Sequence, residues 1–80
     1  MATLIKSDGT KELNVDISTL DQMQKMVGGM IEFVYLRDGN MLIVNEEGLL
    51  NNLPQNEQAS EIYGHPLVGD VVHCGTSEVN

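Results

Sequence analysis

Eighty residues allow one domain with one core, because a chain of this length buries only about 60% of the surface its unfolded form exposes. A formal net charge of −8, from twelve carboxylates against four Lys and Arg, excludes the basic surface on which direct binding to nucleic acid or an anionic membrane rests. No apolar run approaches the roughly 20 residues that span a bilayer, and the lone Cys74 excludes an intrachain disulfide.

The chain opens with two strand-like segments, 2–6 and 11–17, on either side of Asp8-Gly9. That pair predicts a hairpin through a type I′ turn. In the second segment Leu13, Val15 and Ile17 alternate with Glu12, Asn14 and Asp16, the pattern of a half-buried strand with one wet face. Ser18-Thr19 then starts a helix expected over 19–27. Thr19 and Gln22 have capping-box spacing, Asp21 suits the first turn, and Gly28-Gly29 supplies the stop. Leu20, Met23, Met26 and Val27 form its apolar face.

Residues 30–37, rich in Ile, Phe, Val and Tyr, read as a strand. Being apolar on both faces apart from Glu32, the segment is expected near the middle of a sheet. Asp38-Gly39-Asn40 turns it into a partner strand at 41–45. A compact polar stretch follows, with adjacent carboxylates at Glu46 and Glu47. Gly48 is expected to permit a turn, and Leu49, Leu50 and Leu53 to fold back onto the core. Pro54 breaks any long helix. A short helix or loop is expected near 56–63, ended by Gly64, and a last strand over 67–74.

This order predicts an α+β fold: a small, mainly antiparallel sheet of about five strands with the helix of 19–27 packed on one face. The single domain is expected over 1–75, with 76–80 a disordered tail. Aromatics are scarce (Phe33, Tyr35 and Tyr63), and five Met supply part of the missing bulk. Dimerisation is one way for so thin a core to gain burial, so a homodimer stays open.

Several metal-ligand types occur (Glu46, Glu47, Glu57, Glu61, His65, Asp70, His73 and Cys74), but without Cys-x-x-Cys or His-x-x-x-His spacing. No metal and no cofactor is expected. Cys74 has His65 and His73 as candidate bases, yet no cation or helix start to activate a thiolate, and no catalytic residue is assigned. All four basic residues (Lys6, Lys11, Lys25 and Arg37) precede the polar stretch, while seven carboxylates lie from Asp38 onward. The loop Asn45-Glu46-Glu47-Gly48 is either a rigid self-bonded turn or a recognition surface, and a stiff loop serves as both.

The order VGG-x-IE (Val27 to Glu32), NEEG (Asn45 to Gly48) and LP-x-N (Leu53 to Asn56), followed by Gly69-Asp70, resembles a small domain family of unknown function found largely in phages, prophages and plasmids of bacteria. Met30 stands where members often carry an aromatic residue, and Glu57 where a basic one often follows LP-x-N. The resemblance implies a mobile-element protein in the cytoplasm of a bacterial host, a location that the single cysteine and the missing signal peptide also favour.

It further implies a small non-enzymatic accessory protein that binds and blocks a host factor, a bacterial defence component being the expected kind. The acidic half would meet a host protein with a basic surface through Glu46, Glu47, Asn51, Asn52, Asn56 and Glu57. Two alternatives stay open: an oligomer that sequesters a nucleotide signal through Arg37 and Asn45, and a structural or regulatory subunit of a phage assembly.

Overall fold

The computed structural model describes residues 2–78. Within them the chain forms strands Thr3–Ile5 (β1), Lys11–Leu13 (β2), Ile31–Tyr35 (β3), Asn40–Asn45 (β4) and Val71–Gly75 (β5), with helices Leu20–Val27 (α1) and Glu57–Tyr63 (α2). The strands make one sheet in the order β2-β1-β5-β4-β3, every neighbouring pair antiparallel. The α+β architecture of five strands holds, and two helices rather than one pack against the sheet.

Residues on alternate faces of β4 and β5 join different clusters. Met41, Ile43, Val72 and Cys74 pack with Met23 and Val27 of α1, while Leu42, Val44 and Val71 pack with Ala59 of α2. The helices therefore cover opposite faces. Leu42, Ile43, Val71 and Val72 have no exposed surface, so the interior is built on β4 and β5. The expectation that residues 30–37 lie mid-sheet is corrected: β3 is an edge strand, with Phe33 and Tyr35 open to solvent. Among the described residues it pairs along β4 alone, and β5 takes the other side of β4.

Both hairpin turns use one geometry, and it is not type I′. Lys6 N–H donates to Thr10 C=O at 2.8 Å and Leu36 N–H to Asn40 C=O at 2.9 Å, each bond enclosing three residues. Gly9 and Gly39 carry positive φ whereas Asp8 and Asp38 do not. The aspartates instead accept from the backbone two residues on, Asp8 from Thr10 and Asp38 from Asn40, as Asx turns do.

The strand expected over 11–17 ends at Leu13, because Asn14 sits at φ 56. That left-handed residue breaks the alternation, leaving Leu13 67% exposed while Ile17 is buried. The capping box of α1 is present in both directions, and Gly28 closes the helix in the left-handed conformation. In α1, Met23 and Val27 are buried but Leu20 stays exposed. Part of the expected tail, Thr76–Glu78, forms a 3-10 turn in which Gly75 N–H donates to the Glu78 carboxylate. Residues 79–80 of that tail lie outside the described residues.

Candidate functional site

The VGG and NEEG segments meet at one buried amide. Asn45, at the end of β4, donates from Nδ2 to the Val27 carbonyl at 3.0 Å and accepts at Oδ1 from Glu47 N–H at 2.8 Å. One side chain thus satisfies a carbonyl left over at the end of α1 and opens the turn after β4. A Cβ at Gly29 would stand 3.1 Å from Asn45 Nδ2, and one at Gly48 only 2.8 Å from Val68 Cγ2. Gly48 is therefore required by close approach, and positive φ is not its reason.

Backbone bonds finish the loop. Gly48 N–H donates to Asn45 C=O, Asn51 N–H to Glu47 C=O and Leu53 N–H to Gly48 C=O. Asn52 adopts φ 54, a conformation that asparagine tolerates better than most residues. From this base Glu46, Glu47, Asn51 and Asn52 all project into solvent. The expectation for the leucines is corrected in part: Leu53 is half-buried, but Leu49 is 81% and Leu50 79% exposed. Both line a groove of about 380 Å³ together with Glu32, Glu46 and Pro66. Two leucines in a turn this tight cannot both reach the core, since its backbone bonds close back on residues 45 to 49. The adjacent Leu-Leu between two polar runs was the available signal.

Asn56 does not belong to that surface. It is 1% exposed, donates from Nδ2 to the carbonyls of Ile5 and Gly69, and accepts at Oδ1 from Ala59 N–H as the N-cap of α2. Its placement as a partner-binding residue is corrected: it is an internal clamp joining β1, α2 and the approach to β5. Glu57 is exposed but borders a separate polar groove with Lys6, Asp8 and Gln58. Arg37 and Asn45, proposed together as a ligand site, lie at opposite ends of the β3–β4 hairpin. At about 3.3 Å per residue they are more than ~15 Å apart, and both polar atoms of the Asn45 amide are already bonded within the chain.

The remaining chemistry-bearing residues are dispersed. Among the described residues no group of three or more His, Cys, Asp or Glu could hold a metal ion. His73 and Cys74 are neighbours on β5 and so face opposite sides of the sheet, while His65 stacks edge-on against Tyr63 at 5.3 Å. Burial pushes the Cys74 thiol above its ordinary value, and the Glu78 carboxylate adds to the rise, which opposes the thiolate that nucleophilic chemistry needs. No helix among the described residues is long and apolar enough to cross a membrane.

The turn aspartates respond to pH. The Asn40 backbone N–H holds the Asp38 carboxyl below its ordinary 3.8, and the Thr10 hydroxyl and backbone do the same for Asp8. Because the folded value is the lower one, the unfolded chain takes up the proton first on acidification. The stabilisation is complete above the ordinary value and is lost as pH falls through the depressed one. Urea unfolding of Asp38→Asn against the wild type should show a stability deficit at pH 7 that shrinks as the pH is taken below the ordinary carboxyl value of 3.8. A deficit unchanged across that range would show that the charge is not what the turn uses.

Comparison with curated proteins finds no match, and neither does comparison with solved structures. A family model, described as a domain of unknown function (DUF3846), matches residues 1–80, and the chain belongs to that family.

Proposed function

We propose that this domain is a non-enzymatic binding module whose 46–52 loop docks on a partner protein carrying a basic rim around an apolar patch. The observation that carries the reading is the pair of leucines, four-fifths exposed, set beside two carboxylates on a loop whose base is pinned through Asn45. An apolar centre with a charged edge is the general anatomy of a protein interface. A loop already held in shape loses little freedom on binding. Seven carboxylates and no Lys or Arg beyond Arg37 favour a basic counterpart. The resemblance to mobile-element families supports a bacterial host factor as that partner, a defence component being the class to search first, and a cytoplasmic setting.

The test is retention of a host protein by the tagged domain in bacterial extract, followed by affinity measurement with the purified pair. Glu46→Lys and Glu47→Lys should each weaken binding at least tenfold, about 1.4 kcal/mol, and steepen the loss as salt falls. Leu49→Ser with Leu50→Ser should abolish retention while leaving the unfolding midpoint near that of the wild type, since neither side chain is buried. A partner held equally by all these variants would overturn the assignment of this loop.

A further inference from the structure

Among the described residues, edge strand β3 has a free hydrogen-bonding side with two chemically distinct flanks. Glu46 N–H donates to Met30 C=O at 2.8 Å, and Leu36 N–H to Asn40 C=O at 2.9 Å. In an antiparallel ladder bonded residues alternate, so the even-numbered positions from 30 to 36 face β4. Ile31, Phe33 and Tyr35 therefore turn their N–H and C=O groups away from the sheet. Their side chains lie on the α1 face, opposite Asn45, Ile43 and Met41; Ile31 packs against the cluster that holds Met23 and Val27 of α1, while Phe33 and Tyr35 stay open beyond it. Phe33 is 37% and Tyr35 68% exposed, and with the exposed Leu20 they line an open groove of about 590 Å³. On the other face Glu32 is exposed and shares its groove with Glu46, Leu49 and Leu50.

Sheet edges are ordinarily blunted by shortness and charge. The opposite edge follows that rule, with β2 only three residues long and carrying Lys11 and Glu12. Strand β3 does not: it has five residues, four of them apolar or aromatic, and one charge. We propose that β3 receives an extended segment of the partner as a sixth strand, with apolar side chains alternating with Lys or Arg. Partner residues opposite Ile31, Phe33 and Tyr35 drop into the groove beside Leu20. Those opposite Glu32 and Val34 emerge on the acidic face next to Glu46.

Charge selects this occupant over a second copy of the chain. Antiparallel pairing of two β3 strands about Phe33 would set both Glu32 side chains diagonally on one face and bring together two chains of −8 each. Strand addition of this kind draws affinity from the main chain and specificity from alternate side chains. The inference rests on the partner-binding reading above and names the form the partner takes.

The probe is an acetylated, amidated nonapeptide alternating valine with lysine, added to the isotope-labelled domain. Amide exchange should slow at Ile31, Phe33 and Tyr35 by at least tenfold, with little change at Glu32 and Val34, which are already bonded to β4. The same residues in block order, and the alternating peptide N-methylated at every second residue, should each bind at least tenfold more weakly. Phe33→Pro should match that loss, because the N–H it removes is not used by β4. If that variant does not fold, the N-methylated peptide interrogates the same ladder from the other side.

Equal binding of the alternating and N-methylated peptides would overturn strand addition and leave charge attraction alone. Protection of the odd-numbered amides in the free protein, with a dimeric mass, would overturn it in favour of a second copy. A host partner lost with the loop variants but held fully by Phe33→Pro would remove this inference and leave the loop reading standing.

Discussion

Replacing Asn56 by alanine is expected to cost about 3–5 kcal/mol, enough to unfold a marginal domain of this size. Three bonds vanish together. The Ile5 and Gly69 carbonyls lose their Nδ2 donor, and Ala59 N–H loses its cap. The Gly69 carbonyl left without a donor costs ~1–3 kcal/mol, while the second bond to the Ile5 carbonyl, which β5 already reaches at Val71, and the Asn cap each add ~1 kcal/mol. Two further substitutions separate these contributions. Asn56→Ser keeps an oxygen for Ala59 but donates to neither distant carbonyl, so it should recover only the cap. Asn56→Asp keeps the cap and faces a carboxylate toward two carbonyl oxygens, so it should be the worst of the three at neutral pH. Urea denaturation gives the order directly. An alanine variant within 1 kcal/mol of the wild type would show that the 1% exposed amide is not a clamp.

The second large effect is expected at Asn45, where alanine should cost about 2–3 kcal/mol through an unsatisfied Val27 carbonyl and Glu47 N–H. Its signature is regional. Glu47 and Asn51 amides should exchange at least tenfold faster relative to those of β4 and β5, because the turn loses the side chain that starts it. If exchange in the loop rises no more than elsewhere, the loop is held by its backbone bonds alone. The affinity for a partner that reads the loop should then fall only by the global stability loss. This variant therefore links the stiffness of the loop to its use, which charge reversal at Glu46 does not.

Local signals in the sequence proved legible where a few adjacent residues settle the outcome. Thr19 and Gln22 announced the start of α1, Gly28 its end, and Gly64 the end of α2. The strands were readable as strands for the same reason. Their order was not, because IEFVY and NMLIVN are both apolar and nothing within either shows which one receives β5 on its free side. That choice is made by residues 71–75, far along the chain. Asn14 and the leucine pair failed differently. A single left-handed residue reverses the phase of alternation, and a periodic pattern has no term for it.

The site was legible in part. NEEG was recognisable as a special turn, and its exposed carboxylates follow from their charge. That Asn45 and Asn56 point inward could not be read from residue type, since asparagine serves equally as a surface amide and as a buried one. Burial of each is settled by carbonyls contributed from distant segments: Val27 for Asn45, and Ile5 with Gly69 for Asn56.

The insertion of β5 between β1 and β4 has a consequence for how the molecule comes together in time. Both hairpins, β1 with β2 and β3 with β4, close over short turns and can form within microseconds. They share no ladder with each other. Until residues 71–75 are available, the two halves hold no common hydrogen bonds between strands, and one side of β1 and one of β4 stand open as sticky seams. The last strand acts as a keystone, converting two weak ribbons into one cooperative sheet. During synthesis the two ribbons therefore depend on residues 71–75 leaving the ribosome before their adhesive edges find another molecule.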